Sequence, residues 1–311
     1  MPIKSLLASQ VHRVALATGF SIRRAKAAQA GRIIMFHGVG DDSYPVQEFE
    51  QHLQFFARHF QILSLEAFCD RISSGQKLTS ELVLTFDDGL RNNFTSAYPL
   101  LRRHKLPATF FVCPALIEQQ RWLWNHEARI RLQEMEPDQV QGLIEEFRLK
   151  SVSGVEPIVE WMKTLSLKER SRAEQVIRKV NPGFRPSEKQ RIRCDMMTWD
   201  DLRSMDPELI TIGSHTMEHP ILSTLEEDIL QCELVNSRRL LEDKLNRTVD
   251  QFCYPNGAHN AEVVEAVRQH YRIAVTTEPG LVQSDSDLIR LPRIGIVSQP
   301  LLSWRMHRHS A

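Results

Sequence analysis

Short apolar runs alternate with helical segments from residue 31 onward, and this alternation restricts the possible folds more than any other feature. The pattern predicts strands at 32–36, 61–63, 81–86, 108–112, 209–213, 251–254 and 272–275, and helices at 47–58, 65–74, 93–104, 225–245 and 260–270. Strands separated by helices are typical of βαβ units, in which the strands lie parallel. The 311 residues therefore fit an α/β fold, either one large β/α barrel or two ordinary domains.

Composition and charge exclude several classes of protein. The chain has 39 Lys+Arg, 39 Asp+Glu and 42% hydrophobic residues, which predicts a globular protein with a substantial core. Balanced charge removes the attraction that non-specific nucleic-acid binding would need, so no nucleic-acid partner is expected. The five cysteines are widely spread and form no C-x-x-C pair, so neither a disulfide framework nor a thiolate zinc site is predicted.

The first 30 residues are predicted to form a basic amphipathic helix, an N-terminal extension that is solvated or docked rather than a membrane anchor. The apolar run 14–20 is short for a signal peptide and is followed by basic residues. No run approaches the roughly 20 apolar residues of a membrane span. We therefore expect no membrane span and a cytoplasmic location.

Residues 118–197 lack strand signals and are predicted to be an inserted helical subdomain, here called the insert. Ser166 and Glu169 have the spacing of a helix capping box, as do Ser223 and Glu226 before the helix at 225–245. Because the insert follows the fourth strand, it is expected beside the active-site face, where it would select substrate. The insert contains Trp122, Trp124 and Trp161. These tryptophans either form the small core of the insert, which we favour, or line a sugar-binding groove.

The first chemical signal is the segment 82–89, LVLTFDDG, in which an apolar strand ends in two adjacent carboxylates and a glycine. In a β/α barrel the carboxyl ends of the strands open onto the active-site face. Successive strand residues alternate in direction, so Asp87 and Asp88 would point differently, one to a metal and one to substrate. The alternative is a helix N-cap pair, as Asp200 and Asp201 after Thr198 are predicted to be.

The second signal is the segment 214–220, SHTMEHP, which directly follows a predicted strand. One helical turn would place His215 and His219 on the same side, where they could share a cation. Two histidines and one carboxylate leave open coordination positions, as in catalytic zinc sites, and tolerate other first-row divalent metals. The alternative is that the two histidines have only a structural role. The carboxylates at 87 and 88 favour the metal site over this alternative, because they would supply the anionic ligand.

Six segments together resemble the polysaccharide deacetylases of the NodB-homology type, grouped as carbohydrate esterase family four. They are MFHGVG (35–40), LTFDDG (84–89), PATFFV (107–112), TWDDL (198–202), IGSHTMEHPILSTL (212–225) and FCYPNG (252–257). The resemblance implies a distorted seven-stranded (β/α) barrel. We accordingly predict an N-terminal extension (1–30), a barrel (31–117 and 198–300), the insert (118–197) and a tail (301–311).

The resemblance also implies the activity, which is hydrolysis of N-acetyl groups on an amino-sugar glycan or glycan precursor with release of acetate. By position, Asp87 matches the family's catalytic base, while Asp88, His215 and His219 match its metal ligands. The expected cofactor is a divalent cation, with Zn²⁺ preferred over other first-row transition metals, which would polarise the amide carbonyl and lower the pKa of a bound water. The backbone N–H of Leu90 or Arg91 could stabilise the oxyanion.

Two departures from the family pattern affect the site residues. Tyr254 stands where many members have an arginine that orients the base, and we expect Tyr254, Pro255 and Asn256 to contact substrate. The late segment 288–297, LIRLPRIGIV, lacks the family's Leu-x-His histidine, which protonates the leaving amine. Arg293 could orient Asp87 instead but cannot be the acid, because guanidinium keeps its proton. The proton donor would be His37 or Asp87 itself.

Two other functions are compatible with such a barrel. A hydrolase of small cyclic amides would work without metal, and the complete Asp-His-His set argues against it. A catalytically inactive glycan-binding barrel is the other alternative, and it is disfavoured because Asp87 stands beside that set.

Overall fold

Seven parallel strands close into a barrel in the computed structural model, which describes residues 3–150 and 152–307, with side chains from residue 8. The strands are β1 (Arg32–Phe36), β2 (Gln61–Ile62), β3 (Glu81–Phe86), β4 (Ala108–Val112), β5 (Ile210–Ser214), β6 (Gln251–Cys253), β7 (Ile273–Pro279) and β8 (Leu291–Gly295). Around the barrel the order is β1, β8, β7, β6, β5, β4, β3 and back to β1. An irregular register between β7 and β8 distorts the barrel. The predicted fold class, a distorted seven-stranded (β/α) barrel, is confirmed.

The seven barrel strands are not the seven strands predicted from the sequence. The short β2 pairs only with β3 and lies outside the closed ring. Strand β8, which was not predicted, closes the barrel between β7 and β1. Its sequence LPRIG contains a proline and an arginine, so it lacks the continuous apolar run that identifies a buried parallel strand.

Fifteen helices flank the barrel in the described residues. They are α1 (Ile3–Ala17), α2 (Phe20–Ala27), α3 (Val46–His59), α4 (Leu65–Ser73), α5 (Tyr98–His104), α6 (Pro114–Gln119), α7 (Trp124–Gln133), α8 (Pro137–Glu146), α9 (Val155–Met162), α10 (Leu167–Val180), α11 (Glu188–Cys194), α12 (Trp199–Ser204), α13 (Glu227–Leu245), α14 (Ala261–His270) and α15 (Gln299–Arg305). A π-helical turn, Asn93–Ala97, precedes α5. None of these helices is long and apolar enough to cross a membrane.

The two ends of the described chain pack together. The single N-terminal helix that the sequence predicts is two helices, because Gly19 between α1 and α2 has a φ of 69°. Helix α1 contacts α15, where the rings of His12 and Trp304 lie 5.1 Å apart. The sequence analysis predicted a tail at 301–311. Residues 301–305 of that segment instead belong to helix α15, which packs on α1, and residues 308–311 lie outside the described residues.

Helices α6 to α12 lie between β4 and β5, where the insert was predicted. The capping box of Ser166 and Glu169 is present at the start of α10. The one predicted at Ser223 and Glu226 is wrong, because residues 222–224 form a 3₁₀ turn and α13 begins at Glu227. A separate apolar cluster joins α7 to α10 and includes Trp124, with Trp161 packed against it. The domain boundaries themselves stay a prediction.

The barrel interior is filled by alternate strand residues, since successive side chains face opposite sides. Side chains from strands on opposite sides of the ring contact one another and helix α4 in one cluster, which includes Ile33, Val83, Phe111, Val275 and Leu291. The other faces of the strands pack on the surrounding helices, as Phe36 and Phe86 do against Phe49 of α3. The interior is a packed core, so a site can form only where the strands end.

Gly213 of β5 gives the ring of Phe111 the space it needs in this interior. A Cβ at 213 would lie 2.5 Å from Cδ1 of Phe111 and 3.0 Å from the backbone oxygen of Gln251. We expect Gly213→Ala to lower the free energy of unfolding by about 1–3 kcal/mol, measured by urea denaturation. Gly142→Ala is the matched control, because its Cβ would meet nothing within 4 Å on helix α8. Equal stability of the two variants would contradict the prediction.

Candidate active site

Asp87 and Asp88 follow β3 directly and are both buried at the carboxyl end of the barrel. The side chain of Asp87 points into the barrel, as those of Val83 and Thr85 do, because every second residue of β3 faces the interior. The chain then turns at Asp88 and Gly89, whose φ angles are 77° and 75°. A positive φ is unfavourable for aspartate, and such strain is concentrated at functional sites. Because of this turn the two carboxylates diverge.

The Asp87 carboxylate forms a two-pronged ion pair with Arg293 of β8. Nη1 and Nη2 of Arg293 donate to Oδ1 and Oδ2 of Asp87 over 2.7 and 2.6 Å. Its remaining donors reach Thr85 Oγ1 (3.0 Å), the Thr276 carbonyl (2.7 Å) and Cys253 Sγ (3.1 Å). All five guanidinium donors are therefore used, which is how a buried arginine is accommodated.

Arg293 determines the protonation state of Asp87. Burial alone would raise the pKa of this carboxyl, but the charge and hydrogen bonds of Arg293, together with the charges of His215 and His37, outweigh burial and lower the pKa below its ordinary value. Asp87 is therefore an ionised carboxylate at neutral pH. Arg293 is placed where it could orient the Asp87 carboxylate, and that role stays a prediction.

The Asp88 carboxylate faces two histidines on the loop after β5. Its Oδ1 lies 3.7 Å from Nε2 of His215 and 3.6 Å from Nε2 of His219. The predicted helical turn between these histidines is wrong, because Thr216 and His219 have φ angles of 67° and 56°. The loop nevertheless brings the two rings to a centroid distance of 4.7 Å.

Neighbouring groups hold both histidines in place. Nδ1 of His215 lies 2.7 Å from the carbonyl oxygen of Cys253 and donates to it, and this hydrogen bond orients the ring so that Nε2 faces Asp88. The backbone N–H of His219 donates to Thr216 Oγ1 over 3.0 Å. The indole Nε1 of Trp124 donates to the His219 carbonyl over 2.9 Å, so helix α7 supports this loop.

The chemistry of this donor set fits a divalent cation. Ligand atoms of Asp88, His215 and His219 all lie within 4.8 Å of one another and are buried. A carbonyl that accepts from the distal imidazole nitrogen is the usual support of a metal-ligating histidine. Burial, with the nearby charge of His215, lowers the pKa of His219 to about 3, so this ring is neutral and able to ligate.

A second group of ligand atoms satisfies the same distances but does not fit a cation. It consists of Asp87, His215 and Cys253. Arg293 already occupies both Asp87 oxygens and donates to Cys253 Sγ. A cation there would meet a buried guanidinium, so only the group containing Asp88 is suitable.

An open cleft of about 480 Å³ has Leu90, two residues after Asp88, in its wall, whereas the two carboxylates and two histidines described above are not among its lining residues. It is lined by His37, Asp41, Tyr44 and Ile296 from the barrel loops and by His126 and Arg193 from the insert. His37 is exposed at the end of β1, and its charge is among those that lower the pKa of Asp87 and Asp88. The alternative that His37 is a buried structural histidine is therefore not supported.

Two of the three predicted substrate contacts differ from their expected placement. Tyr254 is completely buried, and its hydroxyl donates to the Ile289 carbonyl over 2.9 Å, so it cannot reach a substrate in the cleft. Pro255 is also buried, whereas Asn256 is exposed. Tyr254 and Pro255 therefore pack the loop after β6, and their assignment as substrate-binding residues is corrected.

Sequence reasoning missed His126 and Arg193 of the insert and the sulfur of Cys253 beside Arg293. The sequence predicts a helical insert without locating α7 or α11, and it does not show which polar residues of the insert face the barrel. The Trp124 indole that meets His219 was assigned to the core of the insert. No sequence signal distinguishes these residues from ordinary surface or core positions.

A closed parallel barrel with carboxylates and histidines gathered at the carboxyl ends of its strands has the arrangement of a (β/α)-barrel enzyme. The chain belongs to the polysaccharide deacetylase family, whose model matches residues 75–272. Family membership supports the removal of N-acetyl groups from glycans.

Relatives cover most of the chain at low sequence identity. A Bacillus subtilis (strain 168) protein named as the polysaccharide deacetylase YxkH is 22% identical over 270 residues, covering 85% of this chain and 70% of the relative. The structure of the Streptococcus pyogenes deacetylase PplD in complex with acetate matches with a TM-score of 0.60 at 19% identity, covering 90% of this chain and 98% of that one. The structure of IcaB from Ammonifex degensii also has a TM-score of 0.60, at 15% identity, covering 89% and 97%. The structural matches support the barrel fold.

Proposed function

We propose that this protein hydrolyses N-acetyl groups on an amino-sugar-containing glycan or glycan precursor in a metal-dependent reaction that releases acetate. The observation behind the proposal is the pair of buried carboxylates that follow β3. Asp88 faces two histidines that suit a divalent cation, while Asp87 is held ionised by Arg293. The acetate in the Streptococcus pyogenes structure is the product expected of such a reaction.

Asp88, His215 and His219 would hold the cation, and we propose Zn²⁺ because two imidazoles and one carboxylate are a ligand set that zinc prefers. When bound, the cation polarises the amide carbonyl and makes a water molecule more acidic. Asp87 accepts the proton of the attacking water, and Arg293 orients its carboxylate for that transfer. Of the two backbone donors considered for the oxyanion, Arg91 N–H already donates to the Asp195 carbonyl, which favours Leu90 at the edge of the cleft.

A metal and product assay tests the proposal as a whole. Purified protein should bind close to one divalent cation per chain and release acetate from N-acetylglucosamine oligomers, and a chelator should abolish the release until metal is restored. Activity on cyclic amides without metal would favour the alternative hydrolase. Glycan binding without any acetate release would favour the inactive barrel. The cytoplasmic location remains a prediction that cell fractionation would test.

The leaving amine needs a proton, and His37 is the proposed source. It is exposed in the cleft and close enough to affect the ionisation of both carboxylates. We expect His37→Ala to lower kcat by about 10²-fold, more than it raises KM, because proton delivery contributes to the transition state. The check is a full pH-rate profile. An unchanged profile and kcat would make His37 structural and leave Asp87 as both base and acid.

A further inference from the structure

We propose that His126 of the insert is a substrate-binding residue whose imidazole hydrogen-bonds the acetylated sugar in the cleft. The inference rests on the proposed function and adds to it a specificity-determining residue from outside the barrel.

The position of His126 is fixed by its helix. It is the third residue of α7, two positions after Trp124, whose indole donates to the His219 carbonyl over 2.9 Å. Helix α7 therefore begins directly against the loop that holds the proposed metal ligands. His126 lines the cleft together with His37 and Leu90, so all three face the space where a substrate would lie.

The imidazole of His126 has an unused polar atom. Its Nδ1 is buried, and no hydrogen-bond partner for it exists among the described residues. Buried polar atoms are nearly always paired, since an unpaired one costs about 1–3 kcal/mol. Because Nδ1 is buried, the ring would have to turn towards the cleft for a ligand group to provide the missing partner, and the hydroxyls and acetamido groups of a sugar can donate to or accept from an imidazole.

The electrostatic surroundings favour a neutral ring. Burial lowers the pKa of His126 to about 4, the charge of Asp88 opposes that shift, and Arg129, His37 and Arg193 lower the pKa further. Near neutral pH the ring therefore has one donor and one acceptor and no charge. Such a ring can recognise a neutral sugar without repelling a cation beside Asp88, whereas it has no extra proton to give. Binding, rather than proton transfer, fits these surroundings.

Two variants of the full-length protein test this role on N-acetylglucosamine oligomers. His126→Leu should raise KM about 3- to 10-fold, the effect of losing one hydrogen bond, while kcat stays within about twofold. His126→Gln keeps a donor and an acceptor and should recover part of the loss. The pH dependence of kcat/KM and the metal content should match wild type in both. His59→Gln, at the end of α3 and outside the cleft, is the control.

Each other outcome overturns the inference. A lower kcat with an altered pH profile would make His126 a proton donor, and loss of metal would make it a ligand. Unchanged kinetics in His126→Leu would make it structural only. If His126→Leu fails to fold, His126→Gln decides: its KM must exceed that of wild type with unchanged kcat. Failure of wild type itself to release acetate would instead reject the proposed function.

Discussion

Asp87→Asn is expected to keep its bound divalent cation while kcat falls about 10²- to 10⁴-fold. Asparagine cannot accept the proton of the attacking water, yet the proposed metal ligands Asp88, His215 and His219 remain. Asp88→Asn should behave differently, because it removes the anionic ligand of the set. That variant is expected to lose much of its metal affinity and to recover little activity without excess metal.

Metal content and kcat, measured on both purified variants, separate the two roles. In Asp87→Asn, kcat should fall while the metal content stays unchanged. In Asp88→Asn, kcat and metal content should fall together. If Asp87→Asn loses its metal while Asp88→Asn keeps it, the two assignments are reversed. If neither variant loses activity, the proposed deacetylase function is wrong. Asp200→Asn is a suitable control, since Asp200 is exposed and pairs only with Arg203 in the described residues.

Arg293→Met is expected to destabilise the fold by about 3–5 kcal/mol at neutral pH, since it leaves the buried carboxylate of Asp87 without its partner. The direction with pH follows from the pKa of Asp87. With Arg293 present, the pKa of Asp87 is lowered. The ion pair therefore contributes its full stabilisation at pH values above the ordinary carboxyl pKa of 3.8. That stabilisation is lost as the pH falls through the lowered pKa of Asp87.

Without Arg293, burial is the dominant effect and raises the pKa of Asp87 instead. The destabilisation of Arg293→Met should therefore shrink as pH is lowered towards the raised value, because Asp87 then becomes neutral. Urea unfolding at several pH values measures this. The double variant Arg293→Met with Asp87→Asn should recover part of the stability at neutral pH. A pH-independent loss that the second substitution does not reduce would show that lost packing, not unpaired charge, is the cause.

Local sequence patterns were sufficient to predict the parallel architecture and the residues at two of its strand ends. Strands β1, β3 and β4 were predicted to the residue, because each is a short, mainly apolar segment rich in β-branched and aromatic residues. Asp87 and Asp88 were recognisable as candidates because two carboxylates directly after such a run have no role in its packing. The histidines at 215 and 219 were recognisable for the same reason.

Contacts between distant segments decided the rest. Strand β8 closes the barrel, yet the sequence analysis missed it because Arg293 interrupts its apolar pattern. The buried guanidinium of Arg293 is tolerated because all five of its hydrogen bonds are accepted, by Asp87, Thr85, Thr276 and Cys253. Tyr254 was misplaced for a related reason: no local signal shows that its hydroxyl meets the Ile289 carbonyl.

The sequence by itself thus determined the strand-helix alternation and the residue types available for chemistry, since both depend on neighbours along the chain. Only the tertiary structure decided the pairing of Asp87 with Arg293 and the placement of His126 in the cleft. Both features bring together residues from elements that are far apart in sequence. The free energy that holds a buried ion pair or an unpartnered imidazole in place comes from tertiary packing, which no local sequence pattern encodes.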